Sequence, residues 1–226
     1  FVLPPTAVGL AGSAPSAASV AVVEQTDPYL AFVSDLQLPT LNLQAGIAQK
    51  VSVILTPENY AAFIKMNEEK DLYFLCGVPP SLKKKRAADK DIACKHHFFI
   101  DVDMRNQWEG EITDADIQEL AVWSSEAIAD HPLLSLWRYV DFTGNGFHIH
   151  YFGAAIENFS HEEWKAGLKK FLQEFFELTK LTPDWNCINV ARLCRLPGSY
   201  NNKNGRHVRV EILAHQERSI DLTLIL

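Results

Sequence analysis

His97-Phe98-Phe99-Ile100-Asp101-Val102-Asp103 sets two carboxylates on alternate positions of an apolar run. A strand turns successive side chains to opposite faces, so Phe98, Ile100 and Val102 enter a core while Asp101 and Asp103 project together from the other side. Two like charges a few ångströms apart repel, and a divalent cation held between them is the simplest way for both to stay ionised. The competing reading is a solvated strand face ending in a turn, because acidic residues are common at strand ends.

The flanking segments alternate between strand and helix. Lys50 to Leu55 reads as a strand, and Thr56-Pro57-Glu58 opens a helix with an N-cap and Pro at its first position, with Tyr60, Phe63 and Ile64 on an apolar face. Leu72 to Cys76 is a short buried strand by its continuous apolar run. After the two aspartates, Thr113-x-x-Asp116 caps a helix reaching about Asp130, with Ile117, Leu120, Ala121, Ser124 and Ile128 on one side. Leu136 to Thr143 and Phe147 to Phe152 form a hairpin around Gly144-Asn145-Gly146, a turn that needs positive φ. Ser160-x-x-Glu163 caps a second long helix whose Trp164, Leu168, Phe171, Leu172 and Phe175 make a core stripe. Val208 to Leu213 and Ile220 to Leu226 read as strands. Interleaving without strict alternation predicts an α+β protein with mixed sheets in two lobes.

Residues 1–28 are rich in Ala, Ser, Val and Pro, but Pro4, Pro5 and Pro15 interrupt the apolar run and no basic segment precedes it. They read as a flexible extension or linker rather than a signal peptide or membrane span, leaving 29–226 as one folded domain. The missing initiator Met fits a piece of a longer protein. Cys76, Cys94, Cys187 and Cys194 form no C-x-x-C pair, so neither a zinc module nor a disulfide framework is expected, and a cytoplasmic or nucleoid-associated chain is.

A net charge of −7 argues against a protein that coats nucleic acid without specificity. Yet between Trp185 and Val210 lie Arg192, Arg195, Lys203, Arg206 and Arg209 with no acidic residue, and Lys83-Lys84-Lys85-Arg86 forms a second basic run in a loop. The latter reads as a solvated turn or as a contact to a phosphate backbone.

Two further constellations carry chemistry. Thr143-Gly144-Asn145-Gly146-Phe147-His148-Ile149-His150 runs from a glycine turn, where a phosphate approaches backbone N–H groups, into a strand bearing two histidines on one face. Asp184 to Lys203 adds another carboxylate, Arg192 and Arg195 three apart, and a polar turn ending in Lys203. Arginines suit bidentate phosphate contacts, and a third acid completes a site for two divalent ions. Each alone also reads as an ordinary hairpin or surface loop.

Taken together, these three segments resemble the motifs of the archaeo-eukaryotic primase superfamily, the primase-polymerases. Asp-x-Asp on an apolar strand matches Phe99 to Asp103. The small-residue turn before a strand His matches Gly144-Asn145-Gly146-Phe147-His148. The acid followed by R-L-x-R-x-P-G-S matches Asp184 with Arg192-Leu193-Cys194-Arg195-Leu196-Pro197-Gly198-Ser199. The likeness spans about Tyr29 to Leu213. Two positions depart: many relatives have Ser where Gly146 stands, and a bulky apolar residue where Pro183 stands. An alignment with Asn189 in place of Asp184 is open, although an amide is a poor substitute for a carboxylate on a divalent ion.

The resemblance implies an RRM-like lobe plus a smaller α/β lobe with the active site between them, and template-directed nucleotidyl transfer from an NTP or dNTP. Asp101, Asp103 and Asp184 would hold two Mg²⁺ or Mn²⁺ ions. His148, Arg192 and Lys203 would grip phosphates with help from Thr143 and the Gly144-Asn145-Gly146 backbone, and Arg195 and Asn201 would contact nucleotide or template. Implied partners are single-stranded DNA template and primer, nucleoside triphosphates, and a helicase or other replication factor outside this segment, with no membrane. The alternative is a rolling-circle replication endonuclease, because His148-Ile149-His150 and Tyr200-x-x-Lys203 also fit paired metal histidines with a tyrosine nucleophile. A third reading is a nucleic-acid-binding lobe of the same fold without activity.

Overall fold

A computed structural model describes residues 27–36, 44–47, 52–79 and 87–226. The elements in order are α1 (Pro28–Leu36), β1 (Gln44–Ile47), β2 (Ser52–Ile54), α2 (Pro57–Lys65), β3 (Leu72–Leu75), β4 (Cys94–Val102), α3 (Met104–Gln107), α4 (Asp114–Ala127), β5 (Tyr139–Phe142), β6 (Phe147–Glu157), α5 (His161–Thr179), β7 (Leu193–Arg195), β8 (Tyr200–Asn201), β9 (Val208–Arg209) and β10 (Glu211–His215). Residues 1–26 of the expected extension and the Lys83–Arg86 run lie outside the described residues.

The predicted helices follow from their caps. Thr113 accepts from the backbone N–H of Asp116 while the Asp116 carboxylate accepts from Thr113 N–H, and Ser160 accepts from Glu163 N–H. These pairs satisfy orphan donors at the first turns of α4 and α5. The stripe Trp164, Leu168, Phe171, Leu172 and Phe175 is buried throughout.

Strand order is β10-β5-β6-β4 in the larger sheet and β2-β1-β3-β7 in the smaller, with a β8-β9 ribbon between hairpin and loop segments. The expected mixed sheets are corrected here: every pairing between described strands is antiparallel, and parallel geometry is confined to an Asp71–Tyr200 bridge. Helix-bearing connections usually bring strands back parallel, which is what interleaving suggested; β2 to β3 through α2 and β4 to β5 through α4 do so, but an antiparallel strand, β1 or β6, is inserted between the members of each pair, so no two parallel strands are neighbours. Ile220 to Leu226 is likewise not a strand. Asp221 caps a 3₁₀ turn over Leu222–Ile225, burying Leu222 and Ile225 on its inner side.

Two cores result. One lies between the larger sheet and α4 and α5, and contains Phe98, Ile100, Val102, Val140, Phe142, Phe147, Ile149 and Tyr151. The other lies between the two sheets, capped by α1, and joins Phe32 to Phe74, Phe99, Tyr139, Phe152 and Cys194. The α+β chain is thus two-lobed, with its larger sheet buried on both faces and a cleft at the end of the second core.

Candidate active site

Asp101 is the penultimate residue of β4 and Asp103 is the N-cap of the short α3, so both carboxylates reach the cleft between the sheets. Thr143, Asn145, Gly146, His148, Arg192, Arg195, Asn201 and Lys203 line the same cleft, joined by Tyr73 and Leu193, to which the sequence reading gave no role in the site. Of the proposed site residues, Gly144 and Asp184 are not in its wall.

The acidic end has one carboxylate oxygen with no partner. Asp103 Oδ2 accepts from Asn106 Nδ2 at 2.6 Å, while the buried Oδ1 has no hydrogen-bond partner among the described residues. Burial, and then the neighbouring Asp101 charge, hold the Asp103 carboxyl above the usual range. Asp184 is adjacent: its N–H donates to the Asp101 carbonyl at 2.7 Å, and Arg192 bonds its carboxylate and lies 3.6 Å from that of Asp101. Ligand atoms of Asp101, Asp184 and Cys187 fall within 4.8 Å of one another. Asn189 instead follows the 3₁₀ turn, its N–H on the Asn186 carbonyl.

The glycine turn is fixed from behind. Gly144 takes φ +88°, and its carbonyl accepts from Arg105 Nε at 3.1 Å and Arg206 at 2.8 Å, both arginines being paired with Asp114. The Thr143 carbonyl accepts from Asn201 Nδ2 at 2.6 Å and the Asn145 carbonyl from Arg105 N–H at 3.0 Å. A Cβ on Gly146 would lie 1.8 Å from the Val102 carbonyl oxygen, so the strand bearing the aspartates excludes any side chain there. This accounts for glycine at position 146.

His148 is 5 % exposed and stands between two carboxylates, with Nδ1 3.0 Å from Asp141 and Nε2 3.7 Å from Asp101. Burial pulls its pKa down, but Asp141 and then Asp101 outweigh that and leave it raised. Arg195 is committed within the protein: its guanidinium pairs with Asp71 at 2.7 Å and Tyr73 OH at 3.0 Å and stacks over the Tyr73 ring. Lys203 is exposed at the rim.

The histidine-tyrosine set of the alternative reading is split: His148 and Lys203 line this cleft, whereas His150 and Tyr200 do not. His150 is fully buried against Asp141 and His97, and Tyr200 sits on β8 with its ring stacked on His207 at 4.2 Å. Sequence reading also missed Asp141, Asp71, Arg105 and Asp114, which orient the site residues. Asp141 had a signal: a carboxylate in mid-strand, Val140-Asp141-Phe142, set opposite His148 once the hairpin register is drawn.

One solved structure shares this architecture. The AEP domain of the cyanophage S-2L primase-polymerase superposes with a TM-score of 0.54 at 14 % identity, over 87 % of this chain and 94 % of that domain. The fold is that of an archaeo-eukaryotic primase core. The catalytic domain of primase RepB′, solved in complex with initiator DNA, gives a TM-score of 0.46 at 13 % identity over 88 % of this chain and 92 % of that one. No protein-family model and no curated protein matches the sequence. Among the described residues no helix is long and apolar enough to cross a membrane.

Proposed function

We propose that residues 29–226 are the catalytic domain of a DNA-dependent primase-polymerase, adding nucleotides from NTPs or dNTPs to a 3′-hydroxyl, or joining two nucleotides to begin a primer. The observation that carries this reading is the unpartnered Asp103 Oδ1 beside Asp101, in a cleft that Arg192, Arg195 and Lys203 also line. An ionised pair so close and half-buried fits a divalent cation.

Asp101 and Asp103, with Asp184 beside them, would hold two Mg²⁺ or Mn²⁺ ions. Such ions, when bound, activate the attacking hydroxyl and neutralise the triphosphate and its pyrophosphate leaving group. Asp184 fits less directly, because both its oxygens are taken, one by Asn186 and one by Arg192. An incoming triphosphate competes for the Arg192 guanidinium, which frees Asp184 and turns a resting ion pair into a phosphate contact. His148 faces the same phosphates from the sheet, Lys203 from the rim, and the turn at Thr143 to Gly146 from the hairpin. Arg195 holds Tyr73 and the Asp71 loop in place and borders the nucleotide, as does Asn201. The template and primer strands approach from the open side. A helicase or other replication factor, as a separate protein or a fused domain, would accompany it.

The test supplies single-stranded template, nucleoside triphosphates and Mn²⁺, with and without primer, to wild type, Asp103→Ala and Tyr200→Phe. Extension or primer synthesis lost in Asp103→Ala and kept in Tyr200→Phe supports the reading. Strand cleavage that depends on Tyr200, with no synthesis, replaces it by the endonuclease. Mn²⁺ titration of an Asp101→Ala/Asp103→Ala protein reports the ions directly: binding equal to wild type removes these carboxylates from the metal site.

A further inference from the structure

A carboxylate buried in mid-strand is costly unless both oxygens are paired. Asp141 is fully buried, and both are. Oδ1 lies 3.0 Å from His148 Nδ1 and accepts the His148 backbone N–H at 3.2 Å; Oδ2 lies 3.1 Å from His150 Nε2. Beyond it, His150 Nδ1 lies 3.0 Å from His97 Nε2. Register creates the arrangement: His148 on β6 is directly opposite Asp141 on β5 and Asp101 on β4, so three adjacent strands put Asp141, His148 and Asp101 in one row.

Matching donors to acceptors fixes the protons. An ionised carboxylate only accepts, so His148 carries a proton on Nδ1 and His150 one on Nε2. His150 Nδ1 must then accept from His97 Nε2–H. That leaves His97 Nδ1 as a lone pair, and this atom has no partner among the described residues. Cys194 Sγ also lies 3.6 Å from His148 Nδ1, but the carboxylate at 3.0 Å is the nearer and stronger acceptor, so the chain from His97 through His150 and the Nδ1 proton of His148 both lead to Asp141.

We propose that Asp141 is a positioning residue for nucleotidyl transfer: it pins the ring orientation and the Nδ1–H of His148 so that Nε2 faces the cleft, and His150 and His97 hold Asp141 in turn. The role in transfer rests on the proposed reading of His148 as a phosphate contact. It assigns work to a carboxylate outside all three motifs, by the logic through which outer partners orient catalytic imidazoles.

The test combines ¹⁵N-imidazole NMR with steady-state nucleotide incorporation, on wild type and Asp141→Asn. Wild-type His148 is expected to show a protonated, slowly exchanging Nδ1; in Asp141→Asn that proton is lost or the tautomers mix. The KM for the incoming nucleotide rises about tenfold or more, the scale of one hydrogen bond to a charged group, with a smaller change in kcat. An unprotonated or metal-bound Nδ1 in wild type overturns the proposal without need of any variant, which covers an Asp141→Asn chain that fails to fold. So does a folded Asp141→Asn with unchanged tautomer and KM. A wild type that incorporates no nucleotide sinks the proposed function and the kinetic consequence with it; the tautomer then still decides whether Asp141 pins His148.

Discussion

The two faces of the larger sheet are built from alternate residues of the same three strands, yet they do opposite work. Toward α4 and α5 run Phe98, Ile100, Val102, Val140, Phe142, Phe147, Ile149 and Tyr151, an apolar layer whose contribution is hydrophobic burial. Toward the smaller sheet run His97, Phe99, Asp101, Tyr139, Asp141, His148, His150 and Phe152, equally enclosed at one end but threaded by hydrogen-bonded titratable groups. One face is indifferent to proton positions and sensitive to volume. The other is the reverse, and only its last row, at Asp101 and His148, reaches the cleft.

Substitutions should therefore separate along the pleat. On the cleft side, Asp101→Asn is expected to lower nucleotide incorporation by at least about a hundredfold, as when an electrostatic group facing developing charge is removed, with little change in thermal midpoint. A variant that keeps wild-type incorporation would place the chemistry elsewhere. One residue before the Phe99–Asp103 motif and on the other face, Phe98→Ala should cost about 3–5 kcal/mol in denaturant unfolding, because the ring stacks on Tyr151 and meets Trp164 and Phe171 edge-on. At permissive temperature the metal titration of this variant should still match wild type.

Gly146→Ala tests the seam between the faces. The added methyl meets the Val102 carbonyl, a backbone atom that moves only with the aspartate strand. A loss of about 1–3 kcal/mol in unfolding is expected, accompanied by reduced Mn²⁺ affinity as Asp103 shifts. Stability lost with metal affinity unchanged would show that the turn and the acid pair are mechanically independent.

The polar face also predicts a pH dependence. Burial lowers the pKa of His96 to about 4 and that of His97 well below the ordinary value, so both are neutral in the folded protein while the unfolded chain protonates them near 6.5. The unfolded state then takes up more protons as pH falls, so stability declines below about pH 6.5, by up to ~1.4 kcal/mol per pH unit for each histidine. For His96 the decline ends near the folded value, about 4. The raised His148 opposes this trend. Denaturant midpoints at pH 7.5, 6 and 5 read the balance, and His96→Gln should flatten the slope. A flat wild-type profile would mean that these imidazoles are not buried neutral.

Local pattern made much of this legible. Period-two alternation identified β4 and its two faces, caps identified α4 and α5, and glycine marked the hairpin, because each depends on neighbours within a few residues. The motif residues were readable for the same reason, being short runs with fixed spacing. Asp141, Asp71, Arg105 and Asp114 were not. Their partners lie 7 to 131 residues away in sequence, and a single polar residue in an apolar strand does not say what it faces. The antiparallel order of the sheets was hidden too, since a connection containing a helix does not reveal where the chain returns.

Chain alone established an α+β protein with an acid pair, a glycine turn and an arginine segment, because residue type and spacing set strand faces, caps and turns before any long-range contact forms. Folding in three dimensions settled which of these groups meet. It closed the second face of the sheet over a chain of histidines, tied Asp184 to Arg192, and set Asp141 behind His148, since buried charge is tolerated only where the register of distant strands supplies its partners.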